Sequence, residues 1–199
     1  EFINIVTLEE TPQIVVMIAI LSVTGYMVVS GIETFAKWVM FAIIFVIMVF
    51  LFTIALSIKD IEISHILPML TYDFSTIGST TLKLFIFPFA ETVLFLTLAD
   101  SIKKKDNPYK IYLYGIFLGT LLLAGTFLRN LMILGHPMLE RSYFPSYMAT
   151  RILNIAEIFS RIEVTIFYNF LLAGITKISI CLFASIKGAE KLFNTSKNW

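Results

Sequence analysis

The chain has 199 residues, of which 58% are hydrophobic and only 15% are charged, and its formal net charge is +1. Average soluble domains are about half apolar and about a quarter charged, so this composition is typical of an integral membrane protein. The near-neutral charge argues against a nucleic-acid partner. The single cysteine, Cys181, excludes an internal disulfide and a cysteine metal cluster.

Six apolar segments predict an all-α integral membrane protein with a single transmembrane domain over residues 1-199. The approximate spans are 13-31, 35-58, 79-100, 110-134, 147-163 and 164-187. The second span is the least ambiguous, because Trp38–Ile58 supplies about 21 apolar residues, enough to cross about 30 Å of hydrocarbon. Gly31 is expected to end the first helix, and Gly135–Ser146 is expected to be a loop.

The third span carries a proline and a glutamate at membrane depth, in the run Leu84-Phe85-Ile86-Phe87-Pro88-Phe89-Ala90-Glu91. Pro88 has no N–H to donate to the carbonyl of Leu84, so a break in the helix is predicted here. Glu91 follows three residues later, on roughly the same face. Broken backbone and ionisable groups are tolerated in a membrane only inside protein or along a cavity, which makes the break a candidate ligand site. A proline kink with a glutamate satisfied by a neighbouring helix is the alternative.

Polar residues recur along the fifth span in a pattern that places them on one side of a helix. Arg151, Asn154, Glu157 and Arg161 fall within about 120° of each other at about 100° per residue. Glu157 and Arg161 also form an i,i+4 pair in the favourable order. Two interpretations stay open: an internal ion-pair network that locks helices together, and a stripe that lines a ligand cavity.

The fourth span has polar residues near its end and small residues nearer its start. Arg129 and Asn130 are costly in hydrocarbon, so they are expected to face protein, water or the interface. Gly115 and Gly119 have the GxxxG spacing, a weak signal for a close-packed helix face.

The sequence contains no recognisable nucleophile–base pair, metal cluster or phosphate-binding loop, which argues against an enzyme, and no cofactor is expected. The two histidines, His65 and His136, are far apart and lack metal-ligand spacing with acidic residues. The chain begins at Glu1 without a signal peptide, and we expect it to be a piece of a longer protein.

Several motifs, in their order along nearly the whole chain, resemble the B subunit of GerA-type spore germinant receptors, a branch of the amino acid/polyamine/organocation transporter superfamily. The matching residues are Glu10-Thr11-Pro12, Gly31-Ile32-Glu33-Thr34-Phe35-Ala36-Lys37, Phe87-Pro88-Phe89-Ala90-Glu91, Arg129-Asn130 with Leu134-Gly135, Tyr143-Phe144-Pro145-Ser146-Tyr147, and Arg161-Ile162-Glu163. Lys37 and Ala90 depart from the pattern, where arginine and glycine are usual, and alanine makes the backbone at the break less permissive.

The resemblance implies a ten-helix, LeuT-like fold with an inverted repeat, of which this chain would supply about helices 4–9, with the break at Pro88 in helix six. It also implies a complex with germinant receptor A and C subunits in the spore inner membrane. A small germinant, expected to be an amino acid, would bind at Phe87, Pro88, Phe89, Ala90 and Glu91 and trigger germination. The residues that would support this site or lock the helices together are Arg129, Asn130, Arg151, Asn154, Glu157 and Arg161.

The same residues fit two alternative functions. One is an amino acid permease, in which the site alternates access and the bound ligand crosses the membrane. The other is a structural subunit of the receptor complex that binds no ligand. Flux of the bound ligand would indicate the permease, and a normal germinant response after the site is filled would indicate the structural subunit.

Overall fold

The computed structural model describes residues 11–68, 71–101, 107–152 and 163–193, and the regular elements in these ranges are all helical. The chain is therefore an all-α protein. Its α-helices are α1 (Gln13–Val29), α2 (Ile32–Ser57), α3 (Phe74–Leu84), α4 (Pro108–Arg141), α5 (Pro145–Ile152) and α6 (Glu163–Phe193).

Four helical segments are long and apolar enough to cross a membrane. They are Ile32–Ser57, Phe74–Leu98, Pro108–Arg141 and Val164–Phe193. At 17 residues, α1 lies at the lower limit of the usual range for a span. Large apolar side chains are exposed along these helices, for example Phe41 and Phe117. Such exposure is unfavourable in water and ordinary against lipid chains.

The connection between α1 and α2 turns on a glycine, as the sequence predicts. Gly31 has a φ of 87°, a conformation that residues with a Cβ rarely adopt. The N–H of Ser30 donates to the carbonyl of Tyr26 at 2.9 Å, and the N–H of Gly31 donates to that of Val28 at 3.2 Å. These two bonds satisfy carbonyls that the end of a helix leaves open, so α2 can begin at Ile32 without a longer loop.

α3 begins before the predicted third span, 79-100, in a run of small polar residues. Asp73 precedes the helix, and the hydroxyl of Thr76 donates to its Oδ1 at 2.6 Å. This hydrogen bond holds the pKa of the exposed Asp73 carboxyl below its usual value. A carboxylate at a helix N-terminus is favourable, which accounts for a helix that begins at Phe74 through a run of small polar residues.

The expectation of a loop from Gly135 to Ser146 is wrong for its first half. Gly135 breaks α4 with a φ of 66° and a ψ of 168°, but the chain then returns to a helix as far as Arg141. Pro137 lies in the first turn after the break, where its missing N–H is not needed. The loop is thus reduced to Ser142–Phe144, and α5 begins at Pro145.

Two bodies can be distinguished in the chain, and the first comprises residues 1–49 and 163–199. In this body α1 packs against α6, and the rings of Phe35 and Phe183 lie 5.4 Å apart between centroids. The indole Nε1–H of Trp38 donates to the hydroxyl of Thr176 at 3.3 Å. Aromatic packing and this polar contact therefore hold α6 against α2 within this body.

The second body comprises residues 50–162. In this body α2 and α4 approach each other at Gly125, where a Cβ would come within 2.7 Å of the Cζ of Phe50. At Gly115 and Gly119, by contrast, a Cβ would meet nothing within 4 Å in the described part of the chain. The glycine that permits close approach is therefore Gly125, outside the GxxxG pattern.

Candidate functional site

The helix that begins with α3 is broken at the place that Pro88 predicts. After Leu84 the chain passes through a π-helical turn, Phe85–Phe89, and continues as a tighter 3-10 helix, Ala90–Ser101. At the centre of the turn Phe87 has extended dihedral angles, φ −135° and ψ 120°. A π turn followed by 3-10 winding in the middle of an apolar helix is uncommon and frequently marks a functional hinge.

The backbone at the break is partly re-paired by longer and shorter hydrogen bonds. The N–H of Ala90 donates to the carbonyl of Phe85, five residues earlier. The hydroxyl of Thr92 donates to the carbonyl of Phe89 at 2.5 Å. Such bonds are required at membrane depth, because an unpaired backbone group in hydrocarbon costs several kcal/mol (roughly 2–7).

A side chain on α4 continues this hydrogen bonding. The Oγ1 of Thr92 lies 2.6 Å from the hydroxyl of Tyr112. Because the one proton of the Thr92 hydroxyl goes to the carbonyl of Phe89, Tyr112 must be the donor to Thr92. The three groups form a chain from Tyr112 through Thr92 to Phe89, the residue after Pro88, and they connect the break to α4.

The five residues predicted to bind a ligand lie together at the break. Phe87 is 61% exposed. Ala90 is exposed, whereas Pro88, Phe89 and Glu91 are half-buried. The described part of the chain therefore covers one side of the break and leaves the other side open, with two phenyl rings and a carboxylate close to it.

A second polar cluster lies near the other end of α4. Arg129 and Asn130 are only 3% and 5% exposed. The Nε and Nη2 of Arg129 donate to Oδ1 of Asn130 at 3.2 and 2.7 Å. The amide of Asn130 donates in turn to the hydroxyl of Ser146 at 2.9 Å, which joins α4 to α5.

The structure does not bring this cluster to the break. Tyr112 and Arg129 lie on the continuous part of α4, seventeen residues apart, which corresponds to about 25 Å along the helix. Arg151, on α5, is exposed. The other members of the predicted stripe, Asn154, Glu157 and Arg161, lie outside the described residues.

His65, to which the sequence analysis assigned no role, lies beside the break at Gly135. Nδ1 of His65 is 2.9 Å from the carbonyl oxygen of Met132, and its Nε2 is 3.2 Å from Oε2 of Glu62. The imidazole ring also lies 3.4 Å from the position of a Cβ at Gly135. The 3-10 turn Ile63–Ile66 is thereby attached to α4.

The contact of His65 with Met132 and the contact of Tyr112 with Thr92 could not be predicted from residue spacing, because each joins residues that are distant in sequence.

In the described ranges, no three His, Cys, Asp or Glu residues are placed to hold a metal ion.

Helices of membrane-crossing length, exposed apolar faces and a helix broken at mid-length define an α-helical integral membrane protein. The comparison with known families is more specific. The chain belongs to the family described as "Spore germination protein", whose family model matches residues 1–199. The resemblance to B subunits of spore germinant receptors is thus confirmed at the level of the family.

A similar curated protein is "Spore germination protein KB" of Bacillus subtilis (strain 168), which is 24% identical over 187 residues. The matched region covers 92% of this chain and 50% of the relative, so the chain spans about half the length of the curated protein it matches. No solved structure matches the chain.

Proposed function

We propose that the chain is part of the membrane subunit of a spore germinant receptor, and that an amino acid germinant binds at the break Phe87–Glu91 and triggers germination. The observation that carries this proposal is the extended backbone of Phe87 at the middle of an apolar helix, with Glu91 about one turn away. Discontinuous membrane helices bind small substrates near the bilayer midplane in several families of secondary transporters.

The groups at the break are suited to a zwitterion with an apolar side chain. The carboxylate of Glu91 can pair with an ammonium group, and an ion pair of this kind is stronger away from water. Backbone groups at the interrupted turn can bind the ligand's carboxylate or ammonium group, and the rings of Phe87 and Phe89 can contact its side chain. Glu91 is therefore the residue on which ligand binding should depend most.

The exposed side of the break is consistent with a site that further helices complete. Phe87 is 61% exposed, and an interrupted helix at membrane depth is stable only inside protein or along a cavity. The fold would be the ten-helix inverted repeat with this chain as about helices 4–9, in a complex with A and C subunits in the spore inner membrane. The match covers only 50% of the relative, and the other half of a protein of that length could supply the further helices that complete the site.

Signalling requires that the germinant bind one conformation more tightly than another. The hydrogen-bonded chain Phe89–Thr92–Tyr112 is the element through which the break could act on α4. A ligand that displaces the carbonyl of Phe89 would lengthen or break the bond to Thr92. The equilibrium between two arrangements of the 3-10 helix would then depend on occupancy.

The proposal is tested by equilibrium binding of a labelled amino-acid panel to the complete protein in lipid. Glu91→Ala is compared with Glu140→Ala, which removes an exposed glutamate from the end of α4. Saturable, selective binding that is lost in Glu91→Ala and kept in Glu140→Ala is expected. Absence of binding to the well-folded complete protein, alone and with its partner subunits, would contradict the proposal and support the structural subunit. Ligand flux into vesicles would support the permease.

A further inference from the structure

Arg129 carries a positive charge that no carboxylate neutralises in the part of the chain that the structure describes. Its side chain is 3% exposed, and its hydrogen bonds go to one neutral acceptor, Oδ1 of Asn130. No carboxylate among the described residues is in ion-pair contact with this guanidinium. A buried cation without a counter-charge is strongly unfavourable, so an anion is expected to approach this guanidinium.

The groups that remain available in this cluster are donors. A guanidinium has five N–H groups, and Arg129 uses two of them on Asn130. Oδ1 of Asn130 already accepts both of these bonds, and the hydroxyl of Ser146 accepts one from the Asn130 amide and keeps its own proton. Within the described residues, three N–H groups of Arg129 and the O–H of Ser146 therefore have no acceptor, and such donors are well suited to an oxyanion.

Nη1 of Arg129 makes no hydrogen bond within the described ranges, and the side chain is only 3% exposed. An anion bound at this nitrogen would therefore be largely shielded from water, where an ion pair is stronger.

The position of Arg129 along α4 suits a charged ligand. It precedes the break at Gly135 by six residues, or about 9 Å. The continuous helix Pro108–Leu134 is about 40 Å long, which exceeds the hydrocarbon thickness of about 30 Å. Arg129 thus lies close to one edge of the hydrocarbon, where carboxylates in water and phosphodiesters of lipid head groups are both within reach.

We propose that Arg129, Asn130 and Ser146 form a binding site for an oxyanion, either a free carboxylate or the phosphodiester of an anionic lipid. The site is separate from the germinant site, because about 25 Å of α4 lies between Tyr112 and Arg129. Binding here would stabilise the contact between α4 and α5 that Asn130 and Ser146 form. Failure of this proposal would leave the proposed germinant site at Glu91 unaffected.

The test measures the unfolding midpoint of the complete protein in nanodiscs. One arm adds acetate, with acetamide as its neutral counterpart, to discs of phosphatidylcholine. The other arm replaces part of that lipid with phosphatidylglycerol. We expect either acetate or phosphatidylglycerol to raise the unfolding midpoint. A response to acetate would identify a free carboxylate as the ligand, and a response to phosphatidylglycerol would identify a lipid phosphodiester. Arg129→Gln should weaken the effect on the order of tenfold or more in affinity. Arg141→Gln, which removes an exposed arginine from the same helix, should leave it unchanged.

A second variant keeps the test decisive if Arg129→Gln does not fold. Ser146→Ala retains the cation and removes one donor, and it should reduce affinity several-fold. Equal stabilisation of the wild type and of these variants in both arms would overturn the proposal. The proposal would also be overturned if Arg129→Gln changed the unfolding midpoint in the wild-type background but not in a Glu157→Gln background. Glu157 would then be the carboxylate that neutralises the arginine.

Discussion

The hydroxyl groups of Thr92 and Tyr112 lie 2.6 Å apart and join the segment after the helix break to α4. Thr92 donates its proton to the carbonyl of Phe89, so the position of that carbonyl depends on a residue twenty positions away from Thr92. A proline break is usually described by the hydrogen bond it removes. Here the replacement bonds decide how the backbone after Pro88 is arranged.

Tyr112→Phe removes the donor at the far end of this chain and keeps the ring. We expect a loss of about 0.5–1 kcal/mol in the free energy of unfolding, at the lower end for a hydrogen bond because Tyr112 is 37% exposed. Denaturant unfolding of the complete protein in detergent measures it. Tyr114→Phe, on an exposed tyrosine of the same helix, is the control. Equal stability of the two variants would show that the bond contributes nothing.

Glu91→Gln keeps the size of the side chain and removes its charge. If Glu91 pairs with the ammonium group of the germinant, the half-maximal germinant concentration should rise on the order of tenfold or more, since a hydrogen bond to a charged group is lost. Germination of spores carrying the variant measures this, with the level of the receptor complex quantified in parallel. Glu140→Gln should respond like the wild type. An unchanged response at an unchanged complex level would remove Glu91 from the site.

Two glycines on α4 should respond in opposite directions to the same substitution. Gly125→Ala places a Cβ within 2.7 Å of the Cζ of Phe50, and the ring must shift, at a cost of roughly 1–3 kcal/mol. Gly119→Ala meets nothing within 4 Å and should gain up to about 1 kcal/mol from helix propensity.

Unfolding midpoints of the two glycine variants make the comparison. Phe50→Leu in the Gly125→Ala background should recover part of the loss, because the shorter side chain gives space to the new methyl group. Equal midpoints for the two glycine variants would mean that the contact between α2 and α4 is looser than described.

Gly135→Ala should destabilise the protein by roughly 1–3 kcal/mol because alanine is strained at a φ of 66° and a ψ of 168°. The contact of the new methyl group with His65, at 3.4 Å, is ordinary by comparison. His65→Ala should therefore fail to rescue the variant. Gly78→Ala, where the backbone is helical and the space is open, is the matched control. Rescue by His65→Ala would assign the cost to crowding instead of backbone strain.

Local chemistry was sufficient to predict several features. Pro88 lacks a donor wherever it stands in a helix, so the break followed from one residue type. Gly31 at the end of an apolar run predicted the left-handed turn that the structure has. The prediction of a loop after Gly135 is wrong, because glycine and proline favour a loop in general but Pro137 is also compatible with the first turn of a new helix.

The sequence by itself determined that the chain is all-α and membrane-spanning, where its third span is broken, and which family it resembles. These properties depend on composition, on apolar length and on residues that act on their own backbone. Only the tertiary structure decided that Tyr112 holds Thr92, that Gly125 and not Gly119 admits a neighbouring ring, and that Arg129 lies far from the break. Each of these depends on at least one contact between residues distant in sequence. Spacing along α4 gives the distance from Tyr112 to Arg129, but only the contact of Tyr112 with Thr92 shows which part of α4 lies beside the break.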